Sequence, residues 1–141
     1  MNLEKIMSIS GKPGIFNLVL QTRTGFVVES LLDKKKMTMK LNSNVSLLSE
    51  IAIFTYNEEV KLFEVFKTIA EKEACKVAIS HKESNEVIVA YFREILPEYD
   101  EDRVYLSDIK KILNWYNILQ NNDLVTFDAF DTVKKNSELV D

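Results

Sequence analysis

The order of apolar and polar positions changes character once along the chain. Up to residue 56, short runs with a two-residue period alternate with turn residues: Ile6 to Ser10, then IFNLVLQT, FVVESLL, MTMKL and IAIFTY. Between them stand SGKPG, Arg23-Thr24-Gly25, Asp33 with three lysines, and an Asn-Ser-Asn break. Phe16, Leu18 and Leu20 share one face of their strand by this period. Five strands with no helix between them predict an antiparallel meander. So short a meander is expected to hide its edges by curling into a small SH3-like β-barrel.

After Tyr56 the period becomes helical. In VKLFEVFKTIAEKEA the residues Leu62, Phe63, Phe66, Ile69 and Ala70 recur at three- and four-residue steps, which predicts an amphipathic helix. Cys75 to Ser80 reads as extended. Ser84 is placed to cap a second helix through NEVIVAYFREIL, striped by Val87 or Ile88, Tyr91, Phe92 and Ile95 and stopped by Pro97. A third helix is expected from Ser107 as N-cap, with Asp108 favoured by the helix dipole and Ile109, Ile112, Leu113, Tyr116 and Leu119 on one face. Asn121, Asn122 and Asp123 end it. In the tail Leu124, Phe127, Phe130 and Val133 lie three apart, the spacing of a short docked helix or a fraying end, and residues 134–141 are expected to be disordered. The fold class is therefore α+β: a barrel domain over 1–56, a helical domain of about three helices over 57–123, and a partly disordered tail over 124–141.

Composition narrows the setting. The chain has 141 residues, 46% of them hydrophobic, enough to bury one ordinary core or two small ones. Its single cysteine, Cys75, forms no internal disulfide, and a reducing cytoplasm is the simplest home. Glu4 and Lys5 stand where a signal peptide needs an apolar core, and no stretch approaches the ~18 apolar residues of a membrane span, so a cytoplasmic protein without membrane contact is expected. The net charge of −4 gives the whole molecule no long-range attraction for nucleic acid or anionic membrane. The charge is uneven, however: residues 1–48 hold seven basic and three acidic side chains, and residues 49–141 eleven and nineteen.

Candidate chemistry is sparse. SGKPG lacks the early glycine of a phosphate-cradling loop, and Pro13 stands where the hydroxyl for magnesium belongs. Lys12-Pro13-Gly14 suits a type II turn instead. Lys12, Arg23, Lys34, Lys35 and Lys36 all fall in or beside expected loops and form the candidate partner-binding patch, the footprint that a phosphate backbone or an acidic peptide would find. Ser80 and His81 are adjacent in an extended segment and point to opposite faces, so they do not form a proton relay. One histidine and one cysteine fall short of a zinc set. EYDEDRVY gathers four carboxylates from Glu98 to Asp102, but Arg103 and Val104 occupy positions where a calcium loop needs further ligands, so its acids are expected to pair with Arg103, Lys110 or Lys111. Cys75, near a helix C-terminus, meets a dipole of the wrong sign to lower its pKa, and a packed structural cysteine is expected. Tyr91, Arg93, Tyr99 and His81 are scattered polar groups with no catalytic spacing. No catalytic residue, cofactor or metal is expected.

ISGKPGIFNLVLQTRTGFVVESLLDKKK, AISHK and YFREILPEYDEDRVYLSDIKKILNWYNIL together resemble a family of small uncharacterised proteins from Bacteroidetes bacteria, a domain of unknown function, from about Leu3 to about Gln120. The resemblance implies an SH3-like barrel followed by a winged-helix-like bundle, and it brings no activity, cofactor or catalytic residue. The expected function is a non-enzymatic binding or adaptor module for a protein partner, with self-association between its oppositely charged halves as one form. The alternative is a nucleic-acid-associated regulator that uses the basic loops, which the net charge disfavours.

Overall fold

Alternation and turn chemistry at the front produce strands, and the change of period produces helices. The computed structural model describes residues 2–131. A turn of 3-10 helix (Leu3–Lys5) leads into β1 (Ile6–Ile9), β2 (Phe16–Gln21), β3 (Gly25–Ser30), β4 (Lys36–Lys40) and β5 (Val45–Leu47). A second such turn (Leu48–Glu50) precedes the hairpin of β6 (Ala52–Phe54) and β7 (Glu59–Lys61), then α1 (Leu62–Glu73), α2 (Asn85–Ile95) and α3 (Leu106–Asn121). The chain is thus α+β. Val133 and the segment 134–141 lie outside the described residues.

β1 to β5 form one antiparallel sheet in the order β4-β3-β2-β1-β5. The meander is present, but no ladder joins β4 to β5, so hydrogen bonding leaves open the sheet that was expected to close as a barrel. The reason lies in the ends: after β4 the chain turns, with Ser43 N–H donating to Lys40 O, and the three residues of β5 pair with β1. IAIFTY is not the fifth strand. It supplies β6, which pairs with β7 in a separate two-stranded sheet, Ile53 opposite Val60. β2 also departs from a simple two-residue period, because a bulge sets Leu18 opposite Val28 but Leu20 opposite Val27. Neighbouring valines face opposite ways, so Leu20 leaves the face of Phe16 and Leu18 and stands 57% exposed.

Two apolar clusters result. Met7, Ile9, Phe16, Phe26 and Val28 pack on one face of the sheet, with Leu18, Met37, Met39 and Leu47 partly buried against them. Ile6, Ile15, Leu31 and Leu48, from the same part of the chain, join the larger cluster of the helices instead, with Phe66, Phe92, Leu113 and Tyr116. Phe66 lies against both Tyr116 and Phe130.

The helices follow their stripes. On α1, Leu62, Phe63, Phe66, Ile69 and Ala70 are buried, and the helix ends in two left-handed residues, Ala74 and Cys75, with Cys75 N–H donating to Ala70 O. The segment after it, expected as extended, is irregular chain. Ser84 caps α2 by accepting from Val87 N–H, and Ile88, not Val87, is buried. α3 begins earlier than Ser107, because the Asp108 carboxylate reaches back 2.9 Å to the Tyr105 N–H and fixes Tyr105 as the cap. In the tail Val125 and Phe130 are buried, while Phe127 is 58% exposed. Among the described residues no helix is long and apolar enough to cross a membrane.

Candidate functional site

The loop between β1 and β2 turns at Ile9–Lys12, where Lys12 N–H donates to Ile9 O and Gly11 takes φ +83°. The hydrogen-bonded turn therefore sits three residues before the expected Lys12-Pro13-Gly14, although Gly14 is also left-handed, at φ +79°. A Cβ at Gly14 would stand 2.6 Å from Leu32 Cδ1, so this glycine lets the loop between β3 and β4 lie directly against it. Leu31 N–H donates to Ile15 O at 3.0 Å and ties the same two loops. Lys12 and the run Lys34 to Lys36 are thereby carried at one end of the sheet. The lysine run is shaped by Lys34 N–H donating to Ser30 O, Lys35 N–H to Asp33 Oδ1, and a left-handed Lys34. Arg23 lies elsewhere: it follows the far end of β2, where Gly25 pairs with Lys40. Six strand residues, ~20 Å, separate it from the lysine end. All five side chains are exposed, and none makes an ion pair among the described residues.

The acidic loop is different. Glu98 accepts from Asn57 Nδ2, Glu101 holds Arg93, and Asp100 takes Asp102 N–H on one oxygen and Arg103 Nε on the other. Arg103 is the expected partner, whereas Arg93 and Asn57 come from elements that sequence spacing does not connect to this loop. The Arg103 hydrogen bond, aided by the N–H donors, holds the Asp100 carboxyl below its ordinary value. Among the described residues no three His, Cys, Asp or Glu side chains gather as a metal set.

The scattered polar groups stay apart. Tyr91 donates to Glu73 under the Lys72 ammonium, and burial above all pushes its phenol far up from the ordinary value. Tyr99 packs on Phe92, Arg93 is held by Glu101, and Ser80 Oγ accepts from Lys82 N–H beside a half-buried His81. Cys75 is half-buried against the core.

Sequence reasoning missed a cleft of about 210 Å³ between β6 and α3, lined by Ala52, Phe54, Arg103, Lys111, Ile112 and Trp115. Trp115, the one tryptophan of the chain, sits just off the buried stripe of α3, and that offset was the signal available. The cleft falls short of the ~300 Å³ or more typical of small-molecule pockets and suits a side chain.

Residues 3–48 match a family model described as a domain of unknown function (DUF5606), and residues 51–119 a second such domain (DUF6852). No curated protein matches the sequence. A solution NMR structure from Bacteroides vulgatus, a structural genomics target, is 43% identical with a TM-score of 0.72, covering 90% of this chain and 92% of that one. At that identity over nearly the whole of both chains, this protein belongs to the same uncharacterised family as the Bacteroides vulgatus protein.

Proposed function

We propose that this protein is a non-enzymatic cytoplasmic binding module that takes an acidic protein partner at its lysine-bearing end. The observation that carries the reading is a contrast in pairing. Lys12 and Lys34 to Lys36 stand in or beside two loops in contact through Gly14 and Leu32, and their ammonium groups make no ion pair among the described residues, while Glu98, Asp100 and Glu101 are held by Asn57, Arg103 and Arg93. A molecule of net charge −4 thus keeps a group of exposed lysines at one end of its sheet. Such an end attracts acidic surfaces and steers their approach.

The SH3-like reading of the front half draws support from chain length. In a flat sheet of this order β4 and β5 would lie four strand spacings apart, ~19 Å. A turn at Lys40–Ser43 with two more residues reaches only ~15 Å, which favours a curled sheet whose edges approach each other. Loops at the rim of a curled sheet are rigidly placed for recognition.

The test is an amide-resolved NMR titration of the labelled full chain with a glutamate-rich peptide and, separately, a mixed-sequence single-stranded RNA. The peptide should shift the amides of Gly11, Lys12, Gly14 and residues 32–36, and the Lys12→Glu, Lys35→Glu double variant should lose the effect. Retention of the RNA alone, falling steeply with salt, would move the reading to nucleic acid. Silence with both would end it.

A further inference from the structure

β6 leaves part of its backbone unpaired beside the cleft on α3. Ile51 O accepts from Leu62 N–H and Thr55 N–H donates to Glu58 O, so residues 51, 53 and 55 face β7. By the alternation of an antiparallel ladder, Ala52 and Phe54 turn their N–H and C=O to the opposite side. There Phe54 O accepts from Asp100 N–H and Tyr56 N–H donates to Glu98 O, which closes the far end of the edge through the bridge of Thr55 with Tyr99. Ala52 N–H and C=O, and Phe54 N–H, have no hydrogen-bond partner among the described residues. Two free donors and an acceptor thus line one wall of a cleft whose other wall carries Ile112 and Trp115.

The charges at the rim are mostly spent. Arg103 lies over the Phe54 ring, 4.2 Å from its centre, and is held by Asp100, while the Asp108 carboxylate is engaged by Tyr105 N–H. Lys111 is exposed and makes no ion pair among the described residues, so its ammonium is the cation of this rim left to meet a ligand's charge. An edge that offers backbone hydrogen bonds, an apolar depression of side-chain size and a single free cation together define a complementary ligand: an extended segment with an apolar residue next to a carboxylate.

We propose that the cleft between β6 and α3 binds a short extended acidic-apolar segment of a partner protein by strand addition, bonding to Ala52, seating an apolar side chain against Trp115 and a carboxylate at Lys111. This surface lies on the opposite part of the chain from the lysine end and does not depend on it.

Because Trp115 is the only tryptophan, its emission reports the site without a label. The full chain is titrated with three pools of blocked pentapeptides that share a central Leu, Ile, Val or Phe and are flanked by Glu, Gln or Lys. Emission and amide shifts are read together. The Glu pool should give a saturable blue shift of Trp115 and move the Ala52 amide, Lys111→Glu should weaken it about ten-fold, and Lys12→Glu with Lys35→Glu should leave it unchanged. The inference is overturned by equal responses to the Glu and Lys pools, by no response, or by a response confined to the amides of Gly11, Lys12, Gly14 and residues 32–36. Lys111 is exposed on its helix, so the variant keeps its fold, which the native amide spectrum verifies.

Discussion

At Gly25 a Cβ would stand 2.0 Å from Met39 O, a backbone atom of the paired strand that has nowhere to retreat. Gly14 is constrained in a second way, by φ +79° and by a Leu32 side chain whose exposed tip is able to swing aside. Gly11 shares the left-handed conformation but meets nothing within 4 Å. Urea unfolding should therefore rank three alanine variants: Gly25→Ala costs about 3 kcal/mol, as overpacking against fixed atoms does, and Gly14→Ala and Gly11→Ala about 1–2 kcal/mol each, as an L residue forced left-handed does. An equal cost at all three would contradict this. Asp100 adds a pH dependence. Its folded pKa lies below the ordinary 3.8, so the stabilisation it contributes is whole above that value and is lost as pH falls through the lower folded one. The melting temperature of Asp100→Asn should lie below wild type at neutral pH, with the gap closing only below about pH 4.

Among the elements, α3 holds the irregular segment between α1 and α2 through two side chains, Tyr116, whose hydroxyl donates to Lys76 O at 2.8 Å, and Asn117. Asn117 Oδ1 accepts from Ala78 N–H at 2.7 Å, and its Nδ2 donates to Ala78 O and Ile79 O. Asn117→Ala should cost about 2 kcal/mol, the sum of such bonds to backbone, and hydrogen exchange should quicken first at Ala78. Protection there equal to wild type would show that the segment is held by its apolar residues and the Tyr116 hydroxyl instead. Elements with a long stripe or a local cap were legible in the sequence: α1, and α2 with its Ser84 cap, are set by contacts within a few residues. The start of α3 was not, since Ser107 is a good capping residue and only the reach of Asp108 back to Tyr105 N–H moves the cap to Tyr105. β5 escaped because three residues, of which Val45 and Ser46 are exposed, carry no alternation to read. The site was legible to a similar depth. Counting charges exposes Lys12 and Lys34 to Lys36, but their shared end, and the exclusion of Arg23 from it, follow from strand register and the Gly14 contact with Leu32.

The whole molecule poses the question of whether its two apolar clusters unfold as one. The family models meet between residues 48 and 51, yet the large cluster ignores that seam: Ile6, Ile15, Leu31 and Leu48 belong to it, fully or almost fully buried among residues of the helices. Asn122 at the end of α3 reinforces the seam by donating to Leu31 O at 3.2 Å, and Ile118 of α3 approaches Gly14. Separating the sheet from the helices would expose four large side chains, each worth about 1.5–3 kcal/mol when buried. That loss is comparable to the whole stability of a small domain, so the intermediate with one half folded should not accumulate. Trp115 emission follows the helical half, and the near-ultraviolet signal of Phe16 and Phe26 is too weak to follow the sheet, so a tryptophan placed at the half-buried Leu18 supplies the second probe. Urea curves from the two tryptophans, each measured with the other replaced by phenylalanine, should have midpoints that coincide once each variant's own stability is allowed for by circular dichroism. A Leu18→Trp signal that melts well before the helical content would show instead that the sheet is a separate folding unit resting on the helices, and the four shared residues a contact surface between them.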